Sequence, residues 1–301
     1  MSAVVQSGSD LKTARQLPLL ASDDFGRALV LRGGAPVSAG RFLAQARGHF
    51  AVKLRPRELV YFLPSYDLID HPEVLKSVDP NCIDCLSFTG SSLMVNLDKK
   101  LPHFCLLTGL RRLEIDASEL KDRDLLPLQA LKNLQALSLV GNGINGSCFS
   151  KFTGMTRLRD LNLDFNPLDK STFVCLSHFD NLEILKLNQC RLDDEGVRLL
   201  SRLPHLKHLS IGKSNISAKA LTYVANIKSL KSLVITGCPL KAADLKALKG
   251  MNLKTLDLPE RHYLAMDMKV LKDLFPNTRL IMSGAAQPVD RETQEIFAPL
   301  R

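Results

Sequence analysis

Apolar residues along most of the chain recur in alternating steps of three and two. The stretch LEILKLNQCRL at 182–192 fits neither the 3.6-residue period of an amphipathic helix nor the strict alternation of a half-buried strand. The same rhythm begins again at eight places: Ile83, Leu110, Leu134, Leu158, Leu182, Leu206, Leu230 and Leu253. Successive starts are 27, 24, 24, 24, 24, 24 and 23 residues apart. A period near 24 residues indicates stacked copies of one small structural unit.

Each repeat predicts a short strand, a turn and then a helix. Apolar residues two apart fill the fourth and sixth positions, as Leu185 and Leu187 do, so both side chains share one face of a strand. Segments with helical spacing follow the turn: DDEGVRLLSRL at 193–203, SAKALTYVANI at 217–227, KAADLKALKG at 241–250 and AMDMKVLKDLF at 265–275. Asp193, Ser217 and Asp244 are predicted to cap these helices, because their side-chain oxygens can accept from free amides of the first turn.

The template L-x-x-L-x-L-x-x-N/C-x-L, repeated from Ile83 to Met282, resembles that of leucine-rich repeat proteins. The 24-residue period and DDEG at 193–196 are similar to the ribonuclease-inhibitor-like type. The resemblance implies an α/β leucine-rich repeat solenoid with a parallel sheet on a concave side and helices on a convex side. It also implies a non-catalytic protein-binding scaffold, although a fold alone does not dictate what is bound.

The ninth template position is expected to lie inside the turn, where a small polar side chain can bond backbone groups left unpaired there. This position holds Ser91, Ser118, Asn142, Asn166, Cys190, Ser214, Cys238 and Arg261. Cys190 is therefore interpreted as architectural.

The ends of the array are interpreted separately. Residues 1–25 are expected to form a disordered tail, 26–82 an N-terminal cap region, 83–282 the repeat array and 283–301 a C-terminal tail. The apolar segment ELVYFLPSYDLIDHPEVLKSV at 58–78 predicts a helical N-terminal cap, because the first strand of a solenoid must be shielded from water.

Composition indicates a soluble globular protein, since 45% of the 301 residues are hydrophobic and 24% are charged. No apolar stretch approaches the roughly 18 residues of a spanning helix, and the first residues lack the pattern of a signal peptide. Seven cysteines spread over a chain of this length favour reduced thiols. We therefore expect a cytoplasmic location.

Few residues suggest chemistry. Cys82-x-x-Cys85 with His103-x-Cys105 downstream could bind zinc or act in redox, but packing in the cap region is the favoured interpretation because no second C-x-x-C exists. Cys105, Cys148 and Cys175 are expected in the core. Gly33-Gly34 predicts a turn, since it lacks a phosphate-loop motif. The sequence carries none of the common catalytic motifs, so we expect neither an enzyme nor a metal or cofactor.

The predicted binding surface is the concave face, onto which template positions 3, 5, 7 and 8 should project. The partner-binding set in the middle of the array is Asp160, Asn162, Asp164, Phe165, Ile184, Lys186, Asn188, Gln189, His208, Ser210 and Lys213. An apolar pair, Phe165 and Ile184, lies among polar groups there, as in a protein interface with an aromatic anchor and a polar rim. An ordinary solvated sheet face remains the alternative, because scattered exposed apolar residues are normal.

Charge offers a second interpretation of the surface. Residues 83–282 contain 28 Lys+Arg against 20 Asp+Glu, which accounts for +8 of the chain's +9. The second template position predicts a basic rim of Arg111, Arg159, Lys207, Lys231 and Lys254, with Gln135 and Glu183 between them. Such a rim could meet an acidic protein, a phosphorylated partner or a nucleic-acid backbone. With no Trp and only four Tyr for base stacking, a nucleic-acid partner is disfavoured.

Overall fold

A computed structural model describes residues 13–18, 26–32, 41–45, 49–54, 58–88, 96–258 and 265–282. The chain divides into two compact units. Within the described residues, unit 1 comprises residues 13–138 and Lys151–Arg157, and unit 2 comprises Leu139–Ser150 and residues 158–282. The expected C-terminal tail lies outside the described residues, and so does the expected N-terminal tail except for one strand at Thr13–Pro18.

Unit 1 joins an antiparallel N-terminal part to the first repeats. Its strands are β1 (Thr13–Pro18), β2 (Gly26–Arg32), β3 (Arg41–Gln45), β4 (His49–Leu54), β5 (Glu58–Pro64), β6 (Cys85–Ser87), β7 (Arg112–Glu114) and β8 (Ala136–Ser138). β1 pairs with β4, and β2 pairs with both β3 and β5, all antiparallel. From β5 to β8, each strand pairs in parallel with the next. The helices are α1 (Tyr66–Asp70), α2 (Leu97–Phe104) and 3-10 helices at Pro72–Ser77 and Asp122–Ala130.

Unit 2 is a parallel array. Its strands are β9 (Asp160–Asn162), β10 (Ile184–Lys186), β11 (His208–Ser210), β12 (Ser232–Val234), β13 (Thr255–Leu258) and β14 (Arg279–Met282), each parallel to the next. Between them lie α3 (Lys170–Leu176), α4 (Asp194–Leu200), α5 (Ala218–Val224), a 3-10 helix at Asp244–Leu248 and α6 (Ala265–Leu274). A further 3-10 helix spans Ser147–Lys151. Short strands with helical returns are the predicted repeat unit.

The repeat leucines form the core of each unit. Every residue at template positions 1, 4 and 6 is buried, from Ile83 to Leu258. In unit 2, Leu185 pairs in register with Leu161 on one side and Leu209 on the other. Identical template positions therefore stack on their counterparts in the next repeat, which is how a unit too small to bury its own apolar face obtains a shared core.

The predicted helical cap over 58–78 requires a correction. Residues 66–70 and 72–77 are helical, but residues 58–64 form β5, which pairs with β2 and β6. The apolar run LVYFL fills the interior of that strand, and Val60, Tyr61 and Phe62 are each at most 2% exposed. A short continuous apolar run does not distinguish a doubly buried strand from a buried helix. The first repeat strand is thus shielded by a strand.

The predicted helix caps are correct at two of three positions. Asp193 Oδ1 accepts from the Gly196 amide at 2.9 Å and Ser217 Oγ accepts from the Lys219 amide at 3.2 Å. Asp244 is wrong as a cap, since it is the first residue of a 3-10 helix and its carboxylate accepts instead from the Lys241 amide at 2.8 Å. An Asp before a helical segment can close a turn of its own as readily as it caps a helix.

Candidate functional site

All eleven residues of the predicted partner-binding set lie in unit 2, on β9, β10 and β11 and the turns after them. Three of them offer almost no surface: Ile184 is 0% exposed, Ser210 4% and His208 6%. The expectation that side chains at these positions project into solvent is wrong for these three residues. Adjacent strands lie about 4.8 Å apart, so a residue in the middle of a strand row is flanked by the equivalent residues on both sides.

Burial changes the chemistry of His208. Burial first, and then the charge of Lys186, lowers the pKa of its imidazole to about 3. The imidazole is therefore neutral at neutral pH, and we do not expect it to bind an anionic partner.

Polar side chains at the seventh template position bond to one another across repeats. Asp164 Oδ1 accepts from the Asn188 amide at 2.7 Å and its Oδ2 accepts from Asn188 Nδ2 at 2.9 Å. Asn188 Oδ1 in turn accepts from the Gly212 amide at 2.6 Å and from Ser210 Oγ at 2.8 Å. Asp164, Asn188 and Ser210 of the predicted set thus hold neighbouring turns together.

The eighth template position forms an exposed row with an unusual backbone. Phe165, Gln189 and Lys213 have φ values of 62°, 55° and 53°, and all three side chains are exposed. We name these three residues the left-handed row. Gly141 and Gly237 occupy the same template position, with φ values of 65° and 72°. Each backbone amide of the left-handed row donates to a carbonyl of the following repeat, at 2.7–3.0 Å.

Phe165 is the large apolar side chain of this row, and it is 53% exposed. Its surroundings are open on one side, since a Cβ at Gly141 would meet no described atom within 4 Å. The other end of the row differs, because a Cβ at Gly237 would lie 2.8 Å from Lys213 Cγ. The aliphatic stem of Lys213 therefore covers its neighbouring glycine, whereas open space adjoins the turn that carries Phe165.

The ninth template position is internal, as predicted. Ser118, Asn142, Asn166, Cys190, Ser214 and Cys238 are all buried, while Ser91 and Arg261 lie outside the described residues. Cys190 Sγ lies 3.0 Å from the Leu163 carbonyl oxygen, and Cys238 Sγ lies 3.3 Å from that of Ile211. Burial raises the pKa of these thiols to about 12 for Cys190 and about 11 for Cys238. Both cysteines bond inside the turns.

The predicted basic rim is interrupted by Glu183. Arg159 Nη1 lies 2.6 Å from Glu183 Oε1, and Lys207 Nζ lies 2.6 Å from Oε2. Burial opposes ionisation of this carboxyl, but hydrogen bonds and charge from Lys207 and Arg159 outweigh it and hold its pKa below the usual range. Two of the predicted rim cations are thus tied to one carboxylate. Lys231 and Lys254 continue the row in unit 2, whereas Arg111 belongs to unit 1.

The cysteines near the first repeat are buried. Cys82, Cys85 and Cys105 are at most 5% exposed, and burial raises the pKa of Cys85 and Cys105 to about 12. In the part of the chain that the structure describes, no three or more His, Cys, Asp and Glu side chains gather into a metal-binding group. Cys148 is buried as expected, but Cys175 is only half-buried. Across the same described ranges, no helix has the length and apolar character needed to span a membrane.

Comparisons with known proteins agree with this geometry. A family model for the leucine-rich repeat matches residues 181–201. The solved structure of an internalin, InlF of Listeria monocytogenes, has a similar fold, with a TM-score of 0.50 and 24% identity over 69% of this chain. The chain has the leucine-rich repeat fold. It covers 62% of that internalin.

A second Listeria monocytogenes structure, internalin C2, matches with a TM-score of 0.46 and 20% identity, over 59% of this chain and 72% of the other. No sequence match was found among curated proteins. The ribonuclease-inhibitor-like repeat type stays a prediction. Both 3-10 and α-helical returns occur between the strands.

Proposed function

We propose that this leucine-rich repeat chain is a non-catalytic scaffold that binds a protein partner on the face of unit 2 carrying the left-handed row. Phe165 is the proposed anchor, and Gln189, Lys213 and Lys186 form a polar rim. Interfaces of this kind concentrate binding energy in a few aromatic or Arg side chains surrounded by polar groups. Ile184, His208 and Ser210 are buried and are therefore left out of the proposed contact surface.

The observation that carries this proposal is the backbone conformation of an exposed Phe165. A left-handed conformation costs a non-glycine residue roughly 1–2 kcal/mol, and a bulky residue there is a genuine outlier. Glycine would occupy this turn without that cost, as Gly141 and Gly237 do at the same template position. Because the side chain is 53% exposed, core packing does not account for its presence. The turn imposes the same conformation on Gln189 and Lys213, so Phe165 differs from them in keeping a bulky, exposed apolar side chain where glycine would fit. Strain that is retained in this way is a feature of functional sites.

The experiment compares two glycine substitutions at equivalent positions. The immobilised chain captures proteins from a lysate, and the retained proteins are identified for wild type, Phe165→Gly and Gln189→Gly. Both substitutions relieve the same backbone strain and remove an exposed side chain, so both variants should fold at least as stably as wild type. We expect the specific partner to be lost with Phe165→Gly, by at least about tenfold in affinity, and kept with Gln189→Gly.

A partner retained equally by both variants would contradict the proposed anchor. A partner that is instead lost at high salt, and lost when Arg159, Lys207 and Lys231 are changed to Ser, would favour the alternative of a basic-rim binder for an acidic or nucleic-acid partner.

We also infer a reducing, cytoplasmic location. All seven cysteines are free thiols, although several occur close together in sequence near the first repeat. Persistence of thiols is typical of a reducing compartment. Cell fractionation, with thiol trapping at lysis, tests this inference.

A further inference from the structure

Unit 1 contains a small polar cleft at the edge where its parallel strands begin, separate from the face proposed above. Its volume is about 190 Å³, below the roughly 300–1,000 Å³ typical of sites for drug-sized ligands. Two guanidinium groups, from Arg111 and Arg157, line it together with the carboxylate of Asp84 and the side-chain amides of Asn133 and Gln135. The cleft therefore suits a compact, charged ligand, and its lining carries a net positive charge.

Each guanidinium is positioned by a side chain that is itself anchored to the backbone. Asp84 Oδ2 accepts from the Val60 amide at 2.9 Å, and its Oδ1 lies 3.7 Å from Arg111 Nε. On the other side, Asn133 Nδ2 donates to the Thr108 carbonyl at 3.0 Å, and Asn133 Oδ1 accepts from Arg157 Nη1 at 2.9 Å. Donors held in place before a ligand arrives lose less conformational entropy on binding.

Repeat geometry brings these groups together. The backbone amide of Gln135 donates to the backbone carbonyl of Arg111 at 2.7 Å, so these two residues lie side by side in neighbouring repeats. Gly109 lines the cleft, and a Cβ there would come within 2.8 Å of the Pro80 carbonyl oxygen. The close approach of the 80–81 segment therefore requires glycine at this position.

One buried atom in the cleft indicates what the ligand must supply. Gln135 Oε1 is buried, and no donor for it occurs among the described residues. Gln135 as a whole is only half-buried and lines the cleft, so a turn of its side-chain amide brings Oε1 to an occupant. Leaving a buried acceptor unpaired costs roughly 1–3 kcal/mol, so an occupant that donates a hydrogen bond here is favoured. The same occupant must accept hydrogen bonds from the guanidiniums. A phosphate group that retains one proton does both, because its charged oxygens accept from arginine and its P–OH donates.

We propose that this cleft binds a monoprotonated phosphate group. Arg157 is the principal donor, Arg111 contributes the second guanidinium while it neutralises Asp84, and Gln135 Oε1 accepts from the phosphate hydroxyl. Sulfate matches phosphate in size and shape but carries no proton at neutral pH, so it satisfies the arginines and leaves Gln135 unpaired.

The first test titrates the full chain with inorganic phosphate and, separately, with sodium sulfate at equal ionic strength, by isothermal titration calorimetry. We expect saturable binding of phosphate that is about tenfold tighter than that of sulfate. Arg157→Gln should weaken phosphate binding about tenfold, because it removes a hydrogen bond to a charged group. Arg123→Gln is the matched control: it changes an exposed arginine of unit 1 outside the cleft and should bind like wild type.

Gln135→Leu gives a second test that does not depend on the arginines. It should abolish the preference for phosphate over sulfate, while the thermal unfolding midpoint reports that the chain remains folded. Titration with a phosphoserine peptide below about pH 6, where its phosphate keeps one proton, then distinguishes the source of the group. Binding tighter than that of inorganic phosphate at the same pH indicates a phosphorylated protein, and weaker binding indicates free phosphate. The proposal is overturned if phosphate does not saturate, if sulfate binds equally well to wild type, or if Arg157→Gln and Arg123→Gln bind alike.

Discussion

At the scale of single residues, one side chain, Asn166, closes the turns of two consecutive repeats. Its Oδ1 accepts from the amides of Asn142, Gly143 and Ile144 at 3.0–3.3 Å, and its Nδ2 donates to the carbonyls of Leu139 and Leu163 at 2.8 Å. Both groups are buried, so water cannot replace these bonds. Cys190 occupies the equivalent position with a weaker donor, and its Sγ lies 3.0 Å from the Leu163 carbonyl oxygen, so the turn also accommodates a thiol.

Thiol labelling tests whether Cys190 and Cys238 lie inside the turns, at the ninth template position. At neutral pH the native protein should label first at Cys175, which is half-buried, and should spare Cys190 and Cys238, whose burial keeps them as neutral thiols. Denatured protein should label at all seven positions. Mass spectrometry of partially labelled protein identifies the sites, and Cys175→Ser is the control that removes the fast reaction. Rapid native labelling of Cys190 would contradict its place inside the turn.

His208 predicts an acid-sensitive stability. Its pKa falls from 6.5 in the unfolded chain to about 3 in the folded one, so below pH 6.5 the unfolded state takes up a proton that the folded state does not. Its contribution is full above pH 6.5 and is lost as pH falls toward 3, by at most about 1.4 kcal/mol per pH unit. Urea unfolding at several pH values between 7 and 4.5 measures the slope of the free energy of unfolding against pH. This range avoids most of the titration of carboxyl groups.

His208→Gln should flatten that slope, because it removes the titrating group. His205→Gln is the matched control, since His205 is exposed in the turn just before β11. If both variants keep the wild-type slope, another group carries the acid sensitivity.

At the scale of elements, the three-residue strand β10 places a core residue, Leu185, directly beside a surface residue, Lys186. Leu185 is 0% exposed and in register with Leu161 and Leu209, whereas Lys186 is half-exposed. Leu185→Ala should reduce the free energy of unfolding by about 2–5 kcal/mol through lost burial and a cavity. Lys186→Ala should change it by about 0.5 kcal/mol or less. Chemical denaturation of both variants checks this, and equal losses would contradict the assignment of strand faces.

The sequence predicts these elements well where the repeat period is regular. It predicts them poorly where packing against adjacent strands determines which side chains are buried. The 24-residue rhythm located β7 to β13 and the buried face of each, because every copy repeats the same apolar positions. The template position of Ile184 predicts an exposed side chain, but Ile184 is 0% exposed in a strand that pairs with β9 and β11 on its two sides. The left-handed conformation of Phe165 has a sequence signal only in retrospect, since Gly141 and Gly237 hold its template position. The antiparallel strands before residue 58 lie outside the repeat and leave no periodic trace.

At the scale of the whole molecule, the net charge of +9 overstates how basic the repeat surface is. In unit 2 the rim row consists of Arg159, Glu183, Lys207, Lys231 and Lys254. Glu183 forms ion pairs with Arg159 and Lys207 on either side of it. The positive electrostatic field around Glu183 is therefore weaker than the composition suggests. Long-range attraction of polyanions depends on charges that are not already paired locally. This pairing supports the proposal of a protein partner over the nucleic-acid alternative.

Glu183→Gln therefore should turn the rim into a better polyanion binder. The substitution keeps the size of the side chain, removes its charge and releases Arg159 and Lys207 toward solvent. We expect wild type to bind duplex DNA weakly, and the variant to bind more tightly, with a plot of log K against log salt concentration that is steeper by about 1–2 units, since each added phosphate contact contributes about 0.9. Fluorescence titration of labelled DNA at several salt concentrations measures both quantities. Glu195→Gln is the matched control, because that carboxylate pairs with the exposed Arg198 on α4, away from the rim row. If wild type already shows the steep slope and Glu183→Gln leaves it unchanged, Glu183 does not restrain the rim and the nucleic-acid alternative gains support.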